Sequence, residues 1–267
     1  MTSYVVRRLL DLLFVLFGVS VLIFLMLRMI PGDAVLIMLG ANVDITPERV
    51  EALRRSLGLH LPWHEQYVQW LTGVLRGDLG RSVWTGRPVL EEILARLPVT
   101  LQLTGLALTT AIAVSFPIGI LSASLRGGTA DTIVRMLAIL GLTLPSFWVG
   151  VLMLYFASVY LPTWPTIGYV PFAADPWGNL ARLVLPVIAV SLPMIAGLSR
   201  ILRSSLLDVL SLDYIRTGRA KGLARRTLLY KHALRNALIP VVTVIGVQVG
   251  YLLSGVVVIE QVFAIPG

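Results

Sequence analysis

The chain has no cysteine and only two lysines, Lys221 and Lys231, among its 267 residues. Without cysteine there is no disulfide, no zinc–thiolate site and no thiol nucleophile. Neither lysine completes a G-x-x-x-x-G-K-[ST] phosphate loop, so nucleotide hydrolysis through such a loop is excluded. Charge is scarce too: 13% of residues are charged, against roughly 25% in a soluble domain. Histidine is limited to His60, His64 and His232. None sits in an apolar run beside Ser, Asp or Glu, so an intramembrane hydrolase or metal enzyme lacks its parts. His60 and His64 have helical spacing, but Pro62 intervenes and the pair is isolated, which favours ordinary surface histidines. No catalytic residue, metal site or cofactor is expected.

What is present is apolar sequence. The chain is 57% hydrophobic with a mean hydropathy of +0.85, which predicts an all-α polytopic membrane protein. Five spans are expected, over residues 9–30, 99–123, 132–160, 180–198 and 234–259. The first, with roughly 22 residues, makes about 33 Å of helix, enough to cross the hydrocarbon core. Residues 31–96 carry seven basic and eight acidic residues, a near-neutral balance that fits an external segment. Thr46-Pro47-Glu48 reads as a helix start, with Thr46 as cap and Pro47 in the first turn. Val50, Leu53 and Leu57 share a face, and Gly58 ends that helix. A second amphipathic helix is expected over residues 64–76, with Tyr67, Trp70, Leu71 and Val74 on one side. A third is expected from Pro88 to near Leu97. Their apolar faces suit the outer membrane surface or the cap of a bundle. The expected organisation is an N-terminal transmembrane helix (1–30), an external helical segment (31–98) and a core (99–267).

Positive charge is concentrated in residues 199–235, which hold nine of the 22 basic residues against Asp208 and Asp213. Basic loops stay on the cytoplasmic side. The loop and the N-terminus, marked by Arg7 and Arg8, are therefore expected inside. Because this charge lies beside apolar spans, it points to lipid and topology rather than to nucleic acid. Five spans leave Gly267 outside with no basic tail after it, so one more span is expected beyond it. Pro117, Pro145, Pro186, Pro193 and Pro240 fall within the expected spans, where they serve either a gated pathway or ordinary packing kinks. Gln102, Ser146 and Gln248 are polar groups that either line such a pathway or join helices.

The basic loop, about residues 200–233, is patterned. Ser211 or Asp213 is positioned to cap a short helix, and Gly222 to end it. Gly218 and Ala220 place small residues beside Arg216, Arg219 and Lys221, which would let another protein's backbone approach closely. Arg216-Thr217-Gly218, three residues and then Gly222 resembles the EAA loop of ABC-importer permeases, in which Glu-Ala-Ala and a later Gly precede an Ile/Leu-Pro. The stretches Tyr-Ile-Arg-Thr-Gly-Arg-Ala-Lys-Gly-Leu (214–223) and His-Ala-Leu-Arg-Asn-Ala-Leu-Ile-Pro (232–240) resemble the dipeptide/oligopeptide branch. So do Pro31-Gly32-Asp33, Gly77-Asp78-Leu79-Gly80-x-Ser82 and Thr143-Leu144-Pro145-Ser146-Phe147. Arg216 replaces the motif's Glu, Gly218 its second Ala, and the gap from Gly222 to Pro240 is longer than usual.

The resemblance implies a six-span permease subunit in a bacterial or archaeal cytoplasmic membrane. It implies a second permease subunit, cytoplasmic ATP-hydrolysing subunits that receive the loop helix (Arg216, Thr217, Gly218, Arg219, Ala220, Lys221 and Gly222), and an external solute-binding protein. Di- or oligopeptides, glutathione and nickel all remain as solutes of that branch. A stand-alone secondary transporter is the alternative from another class.

Overall fold

The computed structural model describes residues 2–29, 47–56, 58–82 and 85–267. Thr46 and Leu57, expected at the start and on the face of the first external helix, lie outside the described residues. The described residues form helices in this order: α1 (Thr2–Met29), α2 (Pro47–Ser56), α3 (Trp63–Leu75), α4 (Val89–Ser124), α5 (Thr129–Thr143), α6 (Ser146–Tyr160), α7 (Pro176–Leu210), α8 (Asp213–Ala220), α9 (Arg225–Thr227), α10 (Leu234–Gly255) and α11 (Val257–Val262). A π-helical stretch, Leu228–Ala233, joins α9 to α10. Among the described residues extended pairing is limited to an isolated bridge between Arg81 and Pro88. The protein is an all-α polytopic membrane protein. Four helical segments, Ser3–Met29, Val89–Ser124, Pro176–Leu210 and Arg225–Leu253, are long and apolar enough to cross a bilayer, and a bent pair makes a fifth candidate.

The chain separates into two compact units, Met1–Ala95 and Arg96–Gly267. In the first unit α3 lies against α1. Tyr67 donates to or accepts from Ser20 at 2.8 Å and meets Phe17 and Phe24 edge-on. Trp70 completes that aromatic cluster. The apolar face read from Tyr67 and Trp70 is thus turned onto the first span. Gly58 follows α2 at φ +67°, as the stop signal required.

In the second unit α7 is the central element. Asp175 caps it by accepting from the Gly178 amide at 3.0 Å, and Pro176 occupies its first turn, where no amide donor is needed. Leu183, Val187, Val190, Met194, Leu198, Leu202 and Leu206 recur every three or four residues and are all buried. Helices α5, α6, α10 and α11 pack against α7. Close crossings rest on glycine: a Cβ on Gly119 of α4 would lie 3.0 Å from the Ser199 carbonyl oxygen of α7, and one on Gly150 of α6 would lie 3.0 Å from the Phe263 ring. Small residues at such crossings let dispersion contacts bind helices that gain nothing from hydrophobicity within lipid.

Two expectations are corrected. The third external helix does not end near Leu97. It continues through Pro98 as α4, because a proline inside a helix removes only one hydrogen bond and the flanking turns are retained. The expected span over 132–160 is broken. Leu144 is extended (φ −80°, ψ 126°), the conformation that a following proline favours, and α5 and α6 meet at 100°. Each has 15 residues, about 22 Å of helix and too short to cross a bilayer alone. The other four prolines of the expected spans, Pro117, Pro186, Pro193 and Pro240, lie inside continuous helices.

Replacement of Gly119 by Leu is expected to force α4 from α7 and destabilise the purified protein by about 1–3 kcal/mol, read as a lower melting temperature in detergent. An unchanged melting temperature would contradict the close crossing.

Candidate docking helix and pathway cavity

The loop helix is α8, and its residues have unequal surroundings. Its N-cap position is Leu212, with no side-chain cap, so neither Ser211 nor Asp213 caps it. Ser211 instead turns back to donate to the Asp208 carbonyl at 2.7 Å. Asp213 lies within the first turn, where an anion suits the helix dipole, and pairs with Arg216 at 3.2 Å. The C-terminal end is a Schellman motif: Leu223 N donates to the Gly218 carbonyl at 3.1 Å and Gly222 N to that of Arg219 at 3.0 Å. Gly222 has φ +80° and open space around a would-be Cβ, so glycine is required there by backbone conformation.

Gly218 differs from its sequence reading. It is buried beside Ile215 on the inward side of α8, and a Cβ there would come within 2.7 Å of Leu228 Cδ2. The small residue admits this chain's own Leu228, itself buried at the start of the π-helical stretch, rather than a partner's backbone. The outward face is left to Tyr214, Arg216, Thr217, Arg219, Ala220 and Lys221, all exposed. Tyr214 is fixed by Asn236, whose Nδ2 donates to its hydroxyl at 2.9 Å. The result is a short helix on the surface of its unit, with Arg216 and Arg219 on its outward face.

The three polar residues expected along a pathway part company. Ser146 and Gln248 line one cavity of about 420 Å³ at the α5–α6 elbow, with apolar walls from Leu144, Phe147, Met194 and Leu252. Gln102 instead belongs to a buried network. Its Nε2 donates to Asn179 Oδ1 at 2.5 Å, and its Oε1 accepts from the Tyr169 hydroxyl at 3.0 Å. Asn179 Nδ2 donates to the Val170 carbonyl at 2.6 Å. This network ties α4 to the start of α7 and the segment before it. A buried polar group such as Asn179 must be paired in this way, and half-buried Gln102 joins helices.

Sequence reading passed over the most strongly bonded side chain of the core. Asp131, 1% exposed, accepts from Arg203 Nε and Nη2 at 2.7 Å each, from Ser122 Oγ at 2.6 Å and from Gly127 N at 3.1 Å. Its sequence position, at the end of a short polar loop, gave no sign of burial. Its partner Arg203 stood among the loop cations, although α7 runs on to Leu210 and takes Arg203 into a helix. Glu260 is also buried and accepts from Thr100 Oγ1 at 2.6 Å.

With α8 and the broken α5–α6 pair in view, comparison with known proteins is decisive. Residues 115–267 match the model of the binding-protein-dependent transport system inner membrane component, and residues 1–104 match that of the corresponding N-terminal component. The chain belongs to this family. Relatives are similar along its whole length. A protein of Brucella abortus (strain 2308) named as a peptide transport system permease is 42% identical over 267 residues, covering all of this chain and 84% of the relative. The dipeptide transport system permease protein of Escherichia coli (strain K12) is 40% identical over 290 residues, covering all of this chain and 85% of the relative. A protein of Sinorhizobium fredii (strain NBRC 101917 / NGR234) named as a peptide ABC transporter permease is 38% identical over 269 residues, again covering all of this chain and 85% of the relative.

Three outcomes follow from the site. Gly222→Ala is expected to cost about 1–2 kcal/mol through its left-handed backbone, and Gly218→Val to unseat α8 by displacing Leu228. Limited proteolysis should then cut the Gly218→Val loop faster than the wild type; equal rates would refute the inward role of Gly218. Gln102→Leu is expected to lower stability by about 1–3 kcal/mol, because it leaves the Oδ1 of buried Asn179 without its donor, as measured by thermal unfolding.

Proposed function

We propose that this chain is a permease subunit of an ATP-driven importer of di- or oligopeptides in a bacterial inner membrane. The observation that carries the reading is similarity at 38–42% identity over the whole chain to permeases named for peptide and dipeptide transport. The chain itself is a transport subunit. ATP hydrolysis belongs to separate cytoplasmic subunits, and an external solute-binding protein delivers the peptide to a pathway shared with a second permease subunit. The N-terminus and α8 face the cytoplasm, as the basic residues in and around α8 favour, and residues 31–96 face outward.

In this reading α8 is the element that docks. The outward residues Arg216, Thr217, Arg219, Ala220 and Lys221 meet the ATPase, while Gly218 and Gly222 shape and seat the helix. The three cations Arg216, Arg219 and Lys221 call for an acidic groove on that partner, which would steer association as well as hold it. Ser146 and Gln248 line the solute's route, where the cavity offers apolar walls to side chains and two polar groups to backbone amides.

The absence of cysteine makes topology simple to test. In intact cells Thr85→Cys should react with a membrane-impermeant thiol reagent, and Thr217→Cys only after permeabilisation. Labelling of the Thr217→Cys protein from outside would overturn the orientation. Arg219→Glu should strip the ATPase from the purified complex and abolish uptake of a labelled dipeptide. Full retention of the ATPase would overturn docking through α8.

A further inference from the structure

Two arginines that flank α8 in the sequence reach the two ends of one turn. Arg203, on α7 upstream of α8, forms the bidentate pair with Asp131 in the first turn of α5. Arg225, at the start of α9 just downstream, donates from Nη2 to the Ser124 carbonyl at 2.7 Å, and Ser124 is the last residue of α4. The turn between α4 and α5 is therefore gripped at one end by the chain entering α8 and at the other by the chain leaving it. Between the two grips, Gly127 adopts φ +81° and points its amide at the same Asp131 carboxylate, and Ser122 of α4 donates to it as well.

These contacts are directional. Apolar side chains slide past one another at little cost, whereas a bidentate guanidinium–carboxylate fork loses both hydrogen bonds when its helices rotate. Nor is the buried pair an economical means of simply holding helices, because desolvation cancels much of its attraction and an apolar contact of equal size commonly serves as well. Ser124 offers a helix C-terminal carbonyl, the dipole end that favours a cation. The arrangement fixes orientation between the seat of α8 and the helices α4 and α5. The latter leads directly to the elbow at Pro145 and to the cavity lined by Ser146 and Gln248.

We propose that the α4–α5 turn is a coupling strap: displacement of α8 is carried through Arg203–Asp131 and Arg225–Ser124 into α4 and α5. The inference rests on the reading of α8 as the docking helix. Asp131, Arg203 and Arg225 are then positioning residues for transport and touch neither solute nor nucleotide.

The test uses the assembled transporter in vesicles, with solute moved per ATP hydrolysed as the readout. The double variant Asp131→Asn/Arg203→Met removes both charges of the pair together and so avoids stranding the buried one. It should retain the ATPase yet lower the transport-to-hydrolysis ratio by about fivefold, the low end of measured coupling between sites. Arg225→Gln should lower the ratio by about twofold, as a weaker link in such a network does. Arg225 is exposed and water can replace it on the Ser124 carbonyl, so this variant gives a readout even if the double variant does not fold. An unchanged ratio in Arg225→Gln with the ATPase bound would overturn the strap. So would transport and hydrolysis falling in equal proportion. Failure of docking itself appears elsewhere, as ATPase retained by the Arg219→Glu protein.

Discussion

Inside a bilayer no water is available to satisfy a backbone amide or carbonyl, and that constraint governs the second unit of this protein. Helices meet it by pairing their own groups, so each apolar stretch became a helix. Association of those helices then needed something other than hydrophobicity. The long α7 supplies it with a stripe from Leu183 to Leu206 that is buried along its length, and with glycine crossings at Gly119 and Gly150 on its neighbours. Prolines are tolerated within α4, α7 and α10. Only at Leu144-Pro145 does the chain turn out of the helix, and there a cavity opens.

Several buried polar groups of this apolar setting form closed sets. Asn179 with Gln102 and Tyr169, Glu260 with Thr100, and Asp131 with Arg203, Ser122 and Gly127 each join segments distant in sequence. Such sets are stronger where the dielectric is low and costly when half-made, so they fix which helix lies against which. Ser146 and Gln248 stand apart from these sets. Both line one cavity instead.

The boundaries that sequence misjudged share a cause. A proline in the interior reads as a breaker, yet at Pro98 and Pro117 the surrounding turns carry the helix through, whereas at Pro145 the same residue type ends one helix and begins another. Local sequence does not distinguish these outcomes, because neighbouring helices decide whether the freed carbonyl is satisfied. Gly218 misled for a related reason. A small residue on a cationic helix suits approach by a partner or by the chain's own Leu228, and the difference is set by residues ten positions away.

Composition and charge alone determined that this is an all-α membrane protein, where its apolar segments lie, and that a short cationic helix ends at Gly222. Those are properties of periodicity, of one-dimensional charge bias and of a backbone conformation open to glycine, and each is written within a few consecutive residues. Tertiary structure alone decided that Asp131 is buried against Arg203, that Gln102 braces Asn179 while Ser146 and Gln248 share a cavity, and that the α4–α5 turn is held from both sides of α8. Each of these joins residues dozens of positions apart, and pairing at such separation is fixed only when helices pack and every buried polar group must find its partner.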